Sequence, residues 1–208
     1  MATAEEGGPS APPFVTGLVL AAGGSRRLGR PKQLLAYGNR TLLDHTLSTA
    51  RACDFDQLLC AIGGSADDVR AGVDLSAFRV VQNEHFGSGC SSSVAAAVAV
   101  VDPRSTVLVL LLGDQPGVTA GTVSALLAGR GDAALAVCSY EDGRGHPFAF
   151  GAETFTELRM LHGDKAVWKF LERRAEEVVE VPVPGPVPLD VDTWEDYAAV
   201  LAQAGLPT

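Results

Sequence analysis

The sequence is poor in cysteine, with four among 208 residues (Cys53, Cys60, Cys90 and Cys138). None forms a CxxC pair or takes paired metal-type spacing, which argues against a zinc module and a disulfide framework. Reduced thiols in a cytoplasmic setting are the expectation. Long apolar runs are also missing. The longest, Val94–Val101 and Val107–Leu112, are separated by Asp102, Pro103 and Arg104, and neither approaches the roughly 18 residues of a membrane span. The start, "MATAEEGGPSAPP", lacks the basic and apolar regions of a signal peptide. It reads as a disordered tail over residues 1–13, ahead of a single domain over 14–208. Positive charge is scarce too. Sixteen Lys and Arg against 25 Asp and Glu give a formal charge of −9, which disfavours nucleic acid and membrane surfaces as partners.

What is present is an ordinary globular composition, 47% hydrophobic and 20% charged, ordered as alternating strands and helices without internal repeats. Apolar runs predict strands at 14–21, 57–62, 79–82, 106–112, 133–140 and 177–181, with "HPFAF" (146–150) as a further candidate. Helical spacing predicts helices after Thr41 and over 65–73, 91–101, 119–128, 154–161, 165–174 and 193–204. "VPVPGPVP" must be an extended connection. This order predicts a three-layer α/β fold, a mostly parallel sheet with helices on both faces. Ligands of such sheets sit beyond the carboxyl ends of the strands.

The residues after the first strand stand out against the acidic whole. "LAAGGSRRLGRPK", Leu20 to Lys32, holds Gly23, Gly24 and Gly29 with Arg26, Arg27, Arg30 and Lys32. Glycines let backbone N–H groups approach a ligand closely, and Arg and Lys supply charge for phosphate oxygens. The pattern suits a polyphosphate, although on composition alone a solvated surface loop explains it as well. It matches neither GxGxxG opening a helix nor GxxxxGK[ST]. Asp114 in "LLLGDQPGV" follows the most apolar strand, where it is either a turn residue or a cation ligand. Near the end, "LDVDTWEDY" offers Asp190 and Asp192 as further acids, with a competing use as a helix cap.

"LVLAAGGSRRLGRPKQLL" resembles the signature of the MobA-like nucleotidyltransferases, roughly LAAGxSxRxGxPKxLL. Its AAG and PK forms look like the molybdenum cofactor cytidylyltransferase branch, the guanylyl branch tending towards AGG and DK. The resemblance runs from about Leu18 to Tyr197. It implies a Rossmann-like nucleotidyltransferase fold in which Leu20, Ala21, Ala22, Gly23, Gly24 and Ser25 line the nucleotide. Arg26 would then contact the triphosphate and Lys32 offset charge around the α-phosphate, and these two with Asp114 would form the catalytic set. LGDQP resembles the family's metal-binding turn and "DVDTWEDY" its DxDTPEDY segment, implying Mg2+ on Asp114 and Asp192. "NEHFGSGCSSSV" resembles the GxGxS segment that embraces base and ribose, through Gly87, Gly89 and Ser91; Gln82 and Asn83 carry amides suited to a base edge.

Gln115, Pro116, Arg144, His146, Pro147 and Asp164 fall on segments resembling the acceptor side. "GDKAVW" departs there from the family's GDxGAR. The resemblance implies CTP as donor, a molybdopterin acceptor and a molybdoenzyme receiving the product. Three alternatives stay open: a GTP donor, a sugar-phosphate or other phosphorylated acceptor, and a non-catalytic nucleotide-binding module. The glycine spacing disfavours a nicotinamide-dependent oxidoreductase. Cys90 precedes a helix, where a thiol pKa can fall, but the family's transfer needs no protein nucleophile.

Overall fold

The computed structural model describes residues 12–207, so nearly all of the expected tail lies outside the described residues. Chain order begins with β1 (Val15–Ala21), buried throughout, a short hairpin of β2 (Ala36–Tyr37) and β3 (Arg40–Thr41), and α1 (Leu42–Arg51). Then follow β4 (Gln57–Ile62), α2 (Ala66–Gly72), β5 (Arg79–Gln82), α3 (Cys90–Val98), β6 (Val107–Leu112) and α4 (Ala120–Arg130). The remainder is β7 (Leu135–Tyr140), β8 (Gly143–Gly151), α5 (Phe155–Arg159), α6 (Ala166–Arg173), β9 (Val178–Pro182) and α7 (Trp194–Gln203). Thr41 starts α1 through a reciprocal capping box with Asp44, as its position before the apolar periodicity predicts.

Seven strands form one sheet in the order β5-β4-β1-β6-β8-β7-β9. The run β5-β4-β1-β6 is parallel, and β9 runs parallel to β7. Only β8 runs against its neighbours, β6 and β7. The cause is local: two residues, Glu141 and Asp142, join β7 to β8, and so short a connection makes an antiparallel hairpin. Its register sets Phe148 against Leu110, so the start of β8, with His146, lies beside the carboxyl end of β6.

Period-two alternation sends the strand side chains into two cores. Val15, Val19, Cys60, Val109 and Leu111 pack under α1, α2 and α4. Leu18, Leu20, Leu110, Phe148 and Phe150 pack under α3, α5 and α6. A third, small cluster of Leu28, Leu35, Leu42, Val191 and Val200 joins the loop after β1 to α7. Among the described residues no helix is long and apolar enough to cross a membrane, and the four cysteines are free.

Candidate active site

The loop after β1 folds back on itself through side chains rather than a helix. Buried Gln33 donates from its amide to the carbonyls of Ala21 (2.8 Å) and Gly23 (2.9 Å). Ser25, left-handed at φ 49°, accepts the Lys32 backbone N–H at 2.9 Å. The chain from Ala22 to Pro31 therefore returns Lys32 to the mouth of β1. Glycines at the end of β4 make room for it. A Cβ on Gly63 would stand 2.7 Å from the Ala22 carbonyl oxygen and 2.7 Å from Phe86, and one on Gly64 would stand 3.1 Å from the Gly24 Cα. Gly63→Ala is therefore expected to push the Gly23–Gly24 segment out of place at a cost of roughly 1–3 kcal/mol. Thermal denaturation and nucleotide titration check this: unchanged melting with unchanged affinity would show that the loop tolerates the methyl group.

Asp114 lies in the turn after β6, where the Gly113 N–H donates to the Leu20 carbonyl (2.8 Å). What brings Asp192 to it is not a second strand end. The segment after β9 runs back over the turn: the Val191 N–H donates to the Asp114 carbonyl (3.3 Å), and the Gln115 amide to the Pro188 carbonyl (3.0 Å). Thr193 caps α7 in a capping box with Asp196, which leaves the Asp192 carboxylate for other partners. Thr193 and Asp196 thus do the capping, and Asp192 pairs with Lys32 and Arg27.

The Lys32 ammonium stands between the two acids, paired with Asp114 and 2.8 Å from Asp192 Oδ1, while Arg27 reaches the other Asp192 oxygen at 2.6 Å. Burial alone would pull Lys32 down, but Asp114 and Asp192 outweigh it and hold its pKa above the ordinary value. Burial likewise opposes charge on Asp192, yet Lys32 and Arg27 keep its carboxyl below the usual range. Asp190 goes the other way, pushed up to about 6 by desolvation and then by Asp114. Two carboxylates sharing one cation are a donor set that fits magnesium or manganese, which take a few protein oxygens and complete their shell with phosphate and water. Among the described residues no group of three or more His, Cys, Asp or Glu side chains forms a metal cage by itself.

These groups open onto a cavity of about 630 Å³. Of the expected nucleotide residues, Leu20, Ala21, Ala22, Gly23, Gly24 and Arg26 line it, as do Gly87 and Gly89. Other expected residues are used differently. Gln82 is exposed and accepts from Arg70, away from the cavity. Buried Asn83 spends its amide on Ser92 and Ser93 and accepts the His85 N–H, so it shapes the 83–93 loop. Ser91, fully buried, donates to the Gly163 carbonyl at 2.8 Å, clasping the start of α3 to the 163–165 loop. Gly89, at φ 105°, completes that clasp, since a Cβ there would meet the Asp164 backbone at 2.7 Å.

On the expected acceptor side, His146 and Asp164 line the cavity. Gln115 is buried under Pro188, Pro116 is buried, and Pro147 is buried in β8. None of the three lines the cavity. Arg144 pairs instead with Glu180 across the sheet. The Cys90 thiol lines the cavity, but its pKa is raised, by desolvation and then by Asp164 and Asp114, so the helix start does not activate it. Sequence reasoning missed Gln33 and Phe86, and it read Trp168 only as a departure from a motif.

The MobA-like NTP transferase domain model matches residues 17–178, ending before Asp190 and Asp192. Nicotine blue oxidoreductase of Paenarthrobacter nicotinovorans is 35% identical over 148 residues, 67% of this chain and 72% of that protein. The chain spans only 27% of the bifunctional protein GlmU of Cellvibrio japonicus, which it also matches at 34% identity over 60% of its own length. A Mycobacterium sp. strain JC1 homolog of Mycobacterium tuberculosis Rv0371c superposes with a TM-score of 0.86 at 48% identity, covering 92% of this chain and 97% of that one. Rv0371c from Mycobacterium tuberculosis H37Rv, solved in complex with manganese, gives 0.83 at 46% identity over 91% and 98%.

Proposed function

From the premise that the chain belongs to the MobA-like NTP transferase family and is a nucleotidyltransferase, we propose that it transfers the cytidylyl group of CTP to the phosphate of a molybdopterin acceptor. An acceptor phosphate oxygen attacks the α-phosphorus, the bond from that phosphorus to its bridging oxygen breaks, and pyrophosphate leaves in line. The observation that carries this reading is the Lys32 ammonium held between Asp114 and Asp192 at the mouth of the glycine loop. That arrangement sets paired carboxylates and a fixed ammonium at the mouth of the glycine loop, where a triphosphate would meet the loop's N–H groups.

In this reading Gly23 and Gly24 admit the nucleotide backbone-close, and Arg26 and Lys32 bind phosphate oxygens. Asp114 and Asp192 would hold Mg2+, which when bound supplies charge neutralisation for the triphosphate and the leaving group. With a phosphate as attacker, little base catalysis is required, and positioning and electrostatics carry the rate. The manganese complex of Rv0371c supports a divalent cation here, and the AAG and PK forms of the loop support CTP.

The test is pyrophosphate release with each of the four NTPs, with and without molybdopterin, in Mg2+ or Mn2+. Acceptor-dependent release fastest with CTP, and tighter CTP than GTP by titration calorimetry, are expected. Preference for GTP would move the protein to guanylyl transfer. Release with a sugar phosphate but not molybdopterin would overturn the acceptor.

A further inference from the structure

The cavity is chemically divided. Arg26, Arg27 and Lys32 gather at the end of β1 with the acids, whereas the wall formed by β6, β8 and α6 carries Leu110, Leu112, His146, Val167 and Trp168. His146 stacks on buried Phe148 with centroids 3.9 Å apart. Trp168 stands nearly perpendicular to both, 4.8 Å from Phe148 at 86° and 6.0 Å from His146 at 83°. The three rings brace one another, so half-buried Trp168 is held in one orientation where it meets the cavity. Burial drives the His146 pKa down to about 3, leaving a neutral imidazole. The charged residues that line the cavity beside this wall are Asp164 and Lys165, just ahead of α6.

We infer that Trp168 is a specificity-determining residue that selects, through its ring and the braced His146, acceptors carrying an uncharged planar heteroaromatic group over sugar phosphates. A flat ring gains stacking area and excludes water against such a wall, while a sugar would leave its hydroxyls without partners on Leu110, Leu112 and Val167. The neutral imidazole offers one donor and one acceptor to a ring nitrogen or carbonyl. The inference rests on the transfer reading for the word acceptor, but the ring-binding surface is testable without turnover.

Pterin serves as the planar probe and glucose 1-phosphate as the sugar probe. With Trp194, the chain's other tryptophan, replaced by Phe, pterin should quench the Trp168 fluorescence saturably, also after loading with CTP and Mn2+; glucose 1-phosphate should not. By calorimetry Trp168→Ala should weaken pterin binding tenfold or more, Trp168→Phe should restore it to within about threefold, and both should keep CTP affinity. Wild-type pterin affinity in Trp168→Ala would overturn the assignment. So would competition between CTP and pterin, or a parallel loss of CTP affinity, because the wall would then hold the nucleobase. Pterin binding through Trp168, together with no pyrophosphate release in the assay with molybdopterin, would instead overturn only the transfer reading.

Discussion

Asp114→Asn is expected to lower pyrophosphate release by about two to three orders of magnitude, the range seen when one preorganised electrostatic group is taken from a site. Asp192→Asn should act in the same direction. Both carboxylates address the same point, marked by the Lys32 ammonium, so the double variant should be scarcely worse than the more damaging single one. Single-turnover assays over a Mn2+ titration check this, and losses that simply multiply would mean two independent roles. The melting temperature adds a second readout. Asp114 is already paired, so replacing it strands part of the Lys32 charge, and a lower melting temperature is expected. A lone buried carboxylate would have given the opposite sign.

Lys32→Ala should cost about a hundredfold in turnover, and its effect on stability has a distinctive pH dependence. In the wild-type protein the folded pKa of Lys32 is raised, so its contribution is present throughout neutral pH and is lost only as pH rises through that folded value. Without the ammonium, Asp114 and Asp192 face each other and Asp190 beside them. The repulsion costs about 2 kcal/mol in this partly exposed network; it is greatest at neutral pH, shrinks as pH falls and Asp190, already at about 6, takes up its proton, and is gone below about pH 4, where the unfolded chain's carboxyls are protonated too. Divalent cations should raise the melting temperature of Lys32→Ala more than that of the wild type. Calorimetric scans at pH 4 and pH 7, with and without Mn2+, measure both effects. A pH-independent penalty and no added cation response would show that Lys32 does not hold the acids together.

Much of this arrangement is legible in the sequence because it is local. The buried run of β1, the glycines that end it and the Thr41 and Thr193 caps are each written within a few residues. The direction of β8 was less so. "HPFAF" announces a strand, but only the two-residue connection from β7 reverses it and carries His146 to the site. Amide side chains misled for a related reason. Asn83 suits ligand recognition by type, yet hydroxyl and backbone partners supplied by the fold consume its amide, and the Gln115 N–H is turned away to the Pro188 carbonyl. Gln33 shows the converse: nothing in "PKQLL" marks it, and only the returning loop gives it the Ala21 and Gly23 carbonyls. The meeting of Asp114 with Asp192 is not written locally at all, because it depends on the pairing of Val191 and Pro188 with the turn after β6.

The smallest of the three clusters has a dynamic consequence. Leu28, Leu35, Leu42, Val191 and Val200 hold the loop carrying Arg26 and Arg27 to the segment carrying Asp192, whereas Asp114 hangs from the central sheet between two large cores. A satellite core of five residues opens at a lower free energy than the sheet. The two acids therefore belong to different cooperative units, one slow to exchange its amide hydrogens and one fast. An opening of the satellite is expected to withdraw Asp192 and Arg27 while the sheet and Asp114 stay folded, which would free one edge of the site without unfolding the domain. Hydrogen exchange that is faster in α7 than in β6, and slowed selectively by CTP with Mn2+, would be its signature; uniform protection across both would place the acids in a single unit.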